Sequence, residues 1–267
     1  MYSFAITAFD EMTARRDYGK MLLRCIRSAQ AYHPIVEIVV VDDGSENFGD
    51  LARMLEHEPK VCLYRNQTNR GVFGNKLEAV ARSSCEWVIT CDSDNFMDCQ
   101  YFDRLDRESK IPHTWCCPSF AHPKFDYRPL IGIYDLRLLP RIIKNPIFSC
   151  FFNTGNQTVH REAFMEVFGQ YRDKRADLMM PNWLGLSLKQ REKHYWRMVF
   201  DACDSLIFNL LWMQAGNYLN VVEGLEYEHH YAIGSEGGNY ARSPDEKGKL
   251  GGILLSVLQK AIEEIAP

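Results

Sequence analysis

The run Val36-Glu37-Ile38-Val39-Val40-Val41-Asp42-Asp43-Gly44-Ser45 decides the fold class. Apart from Glu37 it is a near-continuous β-branched stretch, the pattern of a parallel strand buried on both faces. It ends on Asp42-Asp43-Gly44-Ser45, whose residue types favour a turn. Working outward, the same unit recurs on either side. Residues 3–9 read as a strand ending in a polar loop. From Tyr18 to Tyr32, Met21, Leu22, Cys25, Ile26 and Ala29 recur at helical spacing, and His33-Pro34 breaks the pattern. Downstream, residues 51–55 suggest a helix, 61–64 a strand, 76–82 a helix and 87–91 a further strand that ends at Asp92-Ser93-Asp94-Asn95. Repeated βα units of this kind imply a mainly parallel sheet flanked by helices. Ligands of such sheets bind beyond the carboxyl ends of the strands. Thr7 with Phe9, Asp42 with Asp43, and Asp92 with Asp94 all fall at those ends, so three separate clusters are expected on one rim.

The second half is less regular. Strand candidates fall at 130–134, 151–160 and 218–222, and helices at 161–168 and 202–215, the last with Gly216 as its stop. Residues 172–200 are polar, punctuated by Trp183, Tyr195 and Trp196, and a Gly-rich loop follows at 234–239. No internal repeat or low-complexity linker divides the chain. One domain over residues 1–267 is therefore expected.

Composition narrows the function. A formal net charge of -4 with no long basic run argues against a nucleic-acid partner. No apolar run approaches the ~18 residues of a membrane helix, and the N-terminus lacks the pattern of a signal peptide. Nine cysteines without a CxxC pair read as reduced thiols, so a cytoplasmic protein is expected.

Two carboxylates two residues apart at a strand end, Asp92 and Asp94, suit a hard divalent cation whose shell is completed by water and phosphate oxygens. With Asp42 and Asp43 closing another strand, four carboxylates near one another call for cations or donors. Asp42 is expected to hold the turn and Asp43 to face a ligand. A dehydrogenase lacks its GxGxxG here. A sugar nucleotidyltransferase lacks a Gly-rich basic loop after the first strand, where this chain has Ala8-Phe9-Asp10-Glu11. A haloacid-type phosphatase is disfavoured by Asn95-Phe96 after the DxD triplet.

Together, Val39-Val40-Val41-Asp42-Asp43-Gly44-Ser45, Asn69-Arg70-Gly71 and Thr90-Cys91-Asp92-Ser93-Asp94-Asn95 resemble the inverting family 2 glycosyltransferases of the GT-A fold. Asn153-Thr154-Gly155-Asn156, the segment His160-Arg161-Glu162-Ala163-Phe164, Asp204-Ser205 and His229-His230 continue the likeness in order. The resemblance implies a GT-A, Rossmann-like α/β fold with a smaller mixed acceptor-side sheet. It implies a nucleotide-binding half at 1–110, an acceptor-binding and catalytic half at 111–231, and a C-terminal loop and helix at 232–267. The implied activity moves a sugar from a nucleotide-diphosphate donor, a UDP-sugar by preference, to a hydroxyl of a glycan or other acceptor with inversion.

Residue by residue, the resemblance implies that Thr7 and Phe9 frame the nucleobase, that Asp43 accepts from a base N–H, and that Arg70 and Lys76 meet the phosphates. Asp92 and Ser93 approach the nucleotide. Asp92 and Asp94, with His229 or His230, hold Mn²⁺ or Mg²⁺, and imidazole favours Mn²⁺. Asp204 is the implied general base, with Asp201 as a charge at the helix start. Trp183 and Asn156 fall on the acceptor side. The rival from another class is a non-catalytic nucleotide-sugar or glycan-binding protein on the same scaffold.

Overall fold

The computed structural model describes residues 1–9, 18–123, 125–138, 156–172 and 204–230. Four parallel strands form one side of the sheet: β1 (Tyr2–Ala8), β2 (Ile35–Asp42), β3 (Val61–Arg65) and β4 (Trp87–Asp92). They lie in the order β3-β2-β1-β4. Val39, Val40 and Val41 are all 0 % exposed, which is what a strand covered on both faces requires. Helices α1 (Tyr18–Gln30), α2 (Phe48–Leu55) and α3 (Gly71–Arg82) connect them. The apolar stripe of α1 is the predicted one: Leu22, Cys25, Ile26 and Ala29 are buried while Arg24 and Arg27 face water.

Beyond β4 the sheet turns mixed. β8 (Thr158–His160) runs antiparallel to β4 and to β5 (Thr114–His122), and β9 (Tyr218–Glu228) lies parallel to β5. The short β6 (Phe125–Asp126) and β7 (Gly132–Tyr134) pair antiparallel with β5 and β9. The mixed portion is continuous with the parallel one through β8 rather than a separate sheet. Its helices are α4 (Cys99–Asp106), α5 (Arg161–Phe168) and α6 (Asp204–Gln214).

Two elements escape the sequence pattern. β5 carries Pro118 at its centre, which disfavours a buried strand, yet the β5–β9 register shifts between Pro118 and Phe120, so the proline borders an irregularity of the ladder, where prolines in sheets are found. α4 starts from Asp98, whose carboxylate accepts the Tyr101 N–H at 3.0 Å, a cap that a solvated DxD-flanking loop conceals. β9 also runs past its predicted end at Val222, as far as Glu228. α6 ends as expected: Gly216 at φ 86° supplies the left-handed stop. α6 is apolar around its circumference and is packed accordingly, with Trp212 stacked on Trp115 at 4.5 Å and Phe208 on Phe73 at 4.1 Å. That packing fixes where the first residue of α6, Asp204, is held.

Candidate active site

The strand ends place the expected clusters side by side. Thr7 pairs in register with Val41 on one flank and Asp92 on the other, and Ala8 pairs with Asp42. The Asp43 N–H donates to the Ala8 carbonyl at 2.9 Å. Phe9, the residue that follows β1, is 50 % exposed at the rim.

Asp42 and Asp43 divide their work. Asp42 is fully buried; its carboxylate accepts the N–H groups of Gly44 at 3.1 Å and Ser45 at 3.0 Å and the Ser45 hydroxyl, so it holds the turn. Gly44 has φ 84°, and a Cβ there would stand 3.2 Å from the backbone of Thr68 and Asn69, so glycine is required for the 68–71 loop to close in. Asp43 Oδ1 receives Asn66 Nδ2 at 2.8 Å and the Arg70 N–H at 2.9 Å. Burial pushes the Asp43 carboxyl above its ordinary range, and those donors oppose the push.

Around the DxD turn, the Asp92 N–H donates to Asn156 Oδ1 at 3.0 Å. Asn156 is 0 % exposed, so it stands behind Asp92 and supports it rather than facing open space on the acceptor side. Ser93 and Asp94 are partly exposed. Burial and the adjacent Asp92 charge push the Asp94 carboxyl up to about 7. Asn95 is buried; its Nδ2 reaches Asp92 Oδ2 at 3.4 Å and its Oδ1 accepts the His230 N–H at 3.0 Å. Phe96 and Glu228 exchange both backbone hydrogen bonds at 2.9 Å, so the end of β9 is stitched to the loop after the DxD turn. His229 and His230 are thereby set beside Asp92–Asn95. The Tyr227 hydroxyl lies 3.2 Å from His229 Nδ1, and burial lowers the His229 pKa, favouring the neutral ring that ligates metals.

The two cations assigned to phosphates are placed differently. Arg70 turns its guanidinium to Glu78, at 3.1 Å, and to the Arg172 carbonyl, so only its backbone N–H serves the rim. Lys76 is 4 % exposed and lies beneath the rim, 2.9 Å from Asp92 Oδ1 and 2.7 Å from Asp204 Oδ2. Burial alone lowers its pKa, but the two carboxylates outweigh that and hold it charged, above the ordinary lysine value. The sequence could not foresee this, because Lys76 and Asp204 lie 128 positions apart. Burial raises the Asp204 carboxyl and Lys76 opposes it.

The family described as glycosyl transferase family 2 matches residues 3–129, the stretch that carries Thr7, Asp43, Lys76, Asp92 and Asp94. Over those residues the chain is similar to the family 2 glycosyltransferases, and its fold is the GT-A fold. An N-acetylglucosaminyltransferase of Azorhizobium caulinodans is 29% identical over 98 residues, covering 35% of this chain and 25% of the relative. Among solved structures, GalNAc-T7 with UDP, GalNAc and Mn²⁺ superposes with a TM-score of 0.54 at 17% identity, over 93% of this chain and 47% of that one. Residues 1–349 of S. aureus TarS give 0.52 at 13% identity, over 96% and 65%. The chain thus spans a quarter of the curated relative's length and less than two thirds of these solved ones.

Two residues of this site lie outside the sequence reading, Asn66 and Asn75. Asn75 Nδ2 donates to the carbonyls of Val41 at 3.0 Å and Ala8 at 3.3 Å, while its Oδ1 accepts from Asn66 at 3.1 Å. Together they bind the ends of β1 and β2 to the loop that carries Arg70. The signal for Asn75 was an amide one residue before the helix predicted at 76–82, hard to separate from a surface Asn. Trp183, Tyr195, Trp196, Asp201, Asn153-Thr154-Gly155 and the 234–239 loop fall outside the described residues. Among the described residues, no group of three or more His, Cys, Asp or Glu forms a ready-made metal cage.

Proposed function

We propose that this glycosyltransferase domain moves a sugar from a nucleotide-diphosphate donor, with uridine favoured, to an acceptor hydroxyl with inversion and with the help of a divalent cation. One observation supports the metal dependence. Among the described residues, the two cations expected at the phosphates, Lys76 and Arg70, are committed to carboxylates, which favours a cation at Asp92 and Asp94 as counter-charge for the diphosphate. Asp92 and Asp94, with the histidine pair nearby, form no complete cage of their own among the described residues, and such a pair of carboxylates suits a cation that arrives with the nucleotide and takes the rest of its shell from phosphate oxygens and water. When bound, the ion would neutralise the leaving diphosphate. Mn²⁺ is favoured over Mg²⁺ if His229 or His230 contributes.

The chain's own residues supply the rest. Phe9 offers a stacking face to the base, Thr7 borders it, and Asp43 accepts the N–H of a uracil ring. Asp204 takes the acceptor hydroxyl proton as that oxygen attacks the anomeric carbon, and the carbon–oxygen bond to the diphosphate breaks with its electron pair leaving on phosphate. In this reading residues 1–110 bind the nucleotide, and residues 111–231, Trp183 among them, bind the acceptor and carry the base. The relatives named for N-acetylglucosaminyl transfer and for UDP with GalNAc make UDP-N-acetylhexosamines the first donors to try. The seven cysteines among the described residues are free thiols, which supports a reducing, cytoplasmic setting. Among those residues no helix is long and apolar enough to cross a membrane.

A panel of nucleotide diphosphates and UDP-sugars, scored by thermal shift with and without Mn²⁺, tests the proposal, because ligands of the native state raise its apparent stability. UDP should stabilise the protein only with Mn²⁺, and Asp94→Ala should lose that response while keeping its own melting transition. UDP binding indifferent to EDTA would refute metal dependence. Tight Mn²⁺-dependent UDP binding with no turnover of any donor would favour the binding-protein reading.

A further inference from the structure

We infer that Lys76 is a positioning residue that locks the general base to the donor side of the site, an inference that rests on Asp204 acting as that base. Its ammonium joins three elements: the middle of α3, the end of β4 and the first residue of α6. An ammonium has three donors, and two of them meet Asp92 and Asp204 at 2.9 and 2.7 Å. A second cross-link runs beside this one. Phe73, one turn before Lys76, stacks on Phe208, one turn after Asp204, with ring centroids 4.1 Å apart and planes within 17°. The two links together fix both the spacing and the rotation of α6 against α3, and hence where the Asp204 carboxylate points.

The same geometry sets aside a phosphate-binding role. To reach a diphosphate, Lys76 would have to abandon Asp204, which is 8 % exposed, and leave a buried carboxylate without its cation. Removing one member of a buried pair is strongly destabilising, whereas replacing both is often tolerated. Asn75 adds a further constraint, since its bonds to the Val41 and Ala8 carbonyls fix the start of α3 on the sheet and so fix the point from which Lys76 extends.

The test is a cycle of Lys76→Met, Asp204→Asn and the double variant, read by melting temperature, by UDP affinity in Mn²⁺ and by hydrolysis of UDP-N-acetylglucosamine. Lys76→Met should melt well below wild type, and the double variant should melt above Lys76→Met, the reverse of additivity. UDP affinity in Lys76→Met should stay within about tenfold of wild type, since the lysine is argued to hold the base and not the phosphates. Hydrolysis, where the wild type shows it, should lose kcat with the donor KM little changed, and Lys76→Arg should recover part of it. The melting and affinity readings decide the matter without turnover. A double variant that folds no better than Lys76→Met, or a roughly hundredfold loss of UDP affinity that Asp204→Asn does not alter, overturns the inference. Asp204→Asn with full transfer would remove the base assignment and leave the coupling standing. Additive melting would remove the coupling whatever Asp204→Asn does to transfer.

Discussion

Asn95 and His230, 135 positions apart, are joined by a hydrogen bond of 3.0 Å from the His230 N–H to the Asn95 side-chain oxygen. Because Asn95 also leans on Asp92, one buried amide sets the distance between the carboxylate turn and the histidine pair. Asn95→Ala should therefore cost about 1–3 kcal/mol of stability for the lost buried bonds. It should also weaken Mn²⁺ binding in the presence of UDP by roughly 10–100-fold, the usual effect of removing a residue that orients metal ligands. Calorimetric titration of Mn²⁺ checks this, and unchanged affinity in a destabilised variant would limit Asn95 to the fold.

Asp43 governs the choice of base in the proposed reading. With one carboxylate oxygen held by Asn66 and the Arg70 N–H, its orientation is set before a nucleotide arrives. UDP should bind more tightly than ADP, and Asp43→Ala should erase the difference at about 1–3 kcal/mol. The variant also loosens the 66–70 loop, so ADP affinity is the internal reference. Equal binding of ADP and UDP by the wild type would sink the assignment.

The parallel half of the fold was legible because its signal is local. The β-branched run Ile38-Val39-Val40-Val41 stops on turn residues, and in a βα repeat such stops share one rim. Asp42, Asp43, Asp92 and Asp94 could be placed from that alone. The mixed half was harder because its determinants are tertiary. Pro118 sits in a strand because β9 tolerates an irregularity opposite it, and only that pairing reveals it. Lys76 and Arg70 show the same limit within the site. Sequence reports two cations near a phosphate loop, but Glu78, Arg172 and Asp204 decide where they point.

Glu78 makes the flank of the site acid-sensitive. Hydrogen bonds from Arg172, opposed by burial and joined by Arg82, hold its carboxyl down at about 2 against an ordinary 4.5. A carboxyl lowered by folding adds stability that is complete above about pH 4.5 and is lost as pH falls toward 2. The shift corresponds to at most about 3 kcal/mol, and to less in practice because the arginines face water. Urea unfolding at about pH 6 and about pH 3, one above and one inside that window, should show the loss, and Glu78→Gln should flatten the dependence. An identical acid slope in the variant would assign the sensitivity to other carboxylates.

In the proposed reading Asp204 separates chemistry from binding. Its carboxylate begins α6, is nearly buried, and is held by Lys76 at 2.7 Å. In the proposed mechanism it touches the acceptor hydroxyl and never the nucleotide. Asp204→Asn keeps the size of the side chain and removes the proton acceptor, so transfer should fall by roughly 10²–10⁴. UDP affinity in Mn²⁺ should stay within a few-fold, since the donor residues on the rim are untouched. Asp201→Asn, in the segment outside the described residues, is the control and should lose much less. If Asp201→Asn proves the inactive variant, the base moves three residues along the chain and the reaction stands. If both variants keep full transfer, the proton must pass to another carboxylate, with Glu226 and Glu228 beside the histidine pair the next to replace.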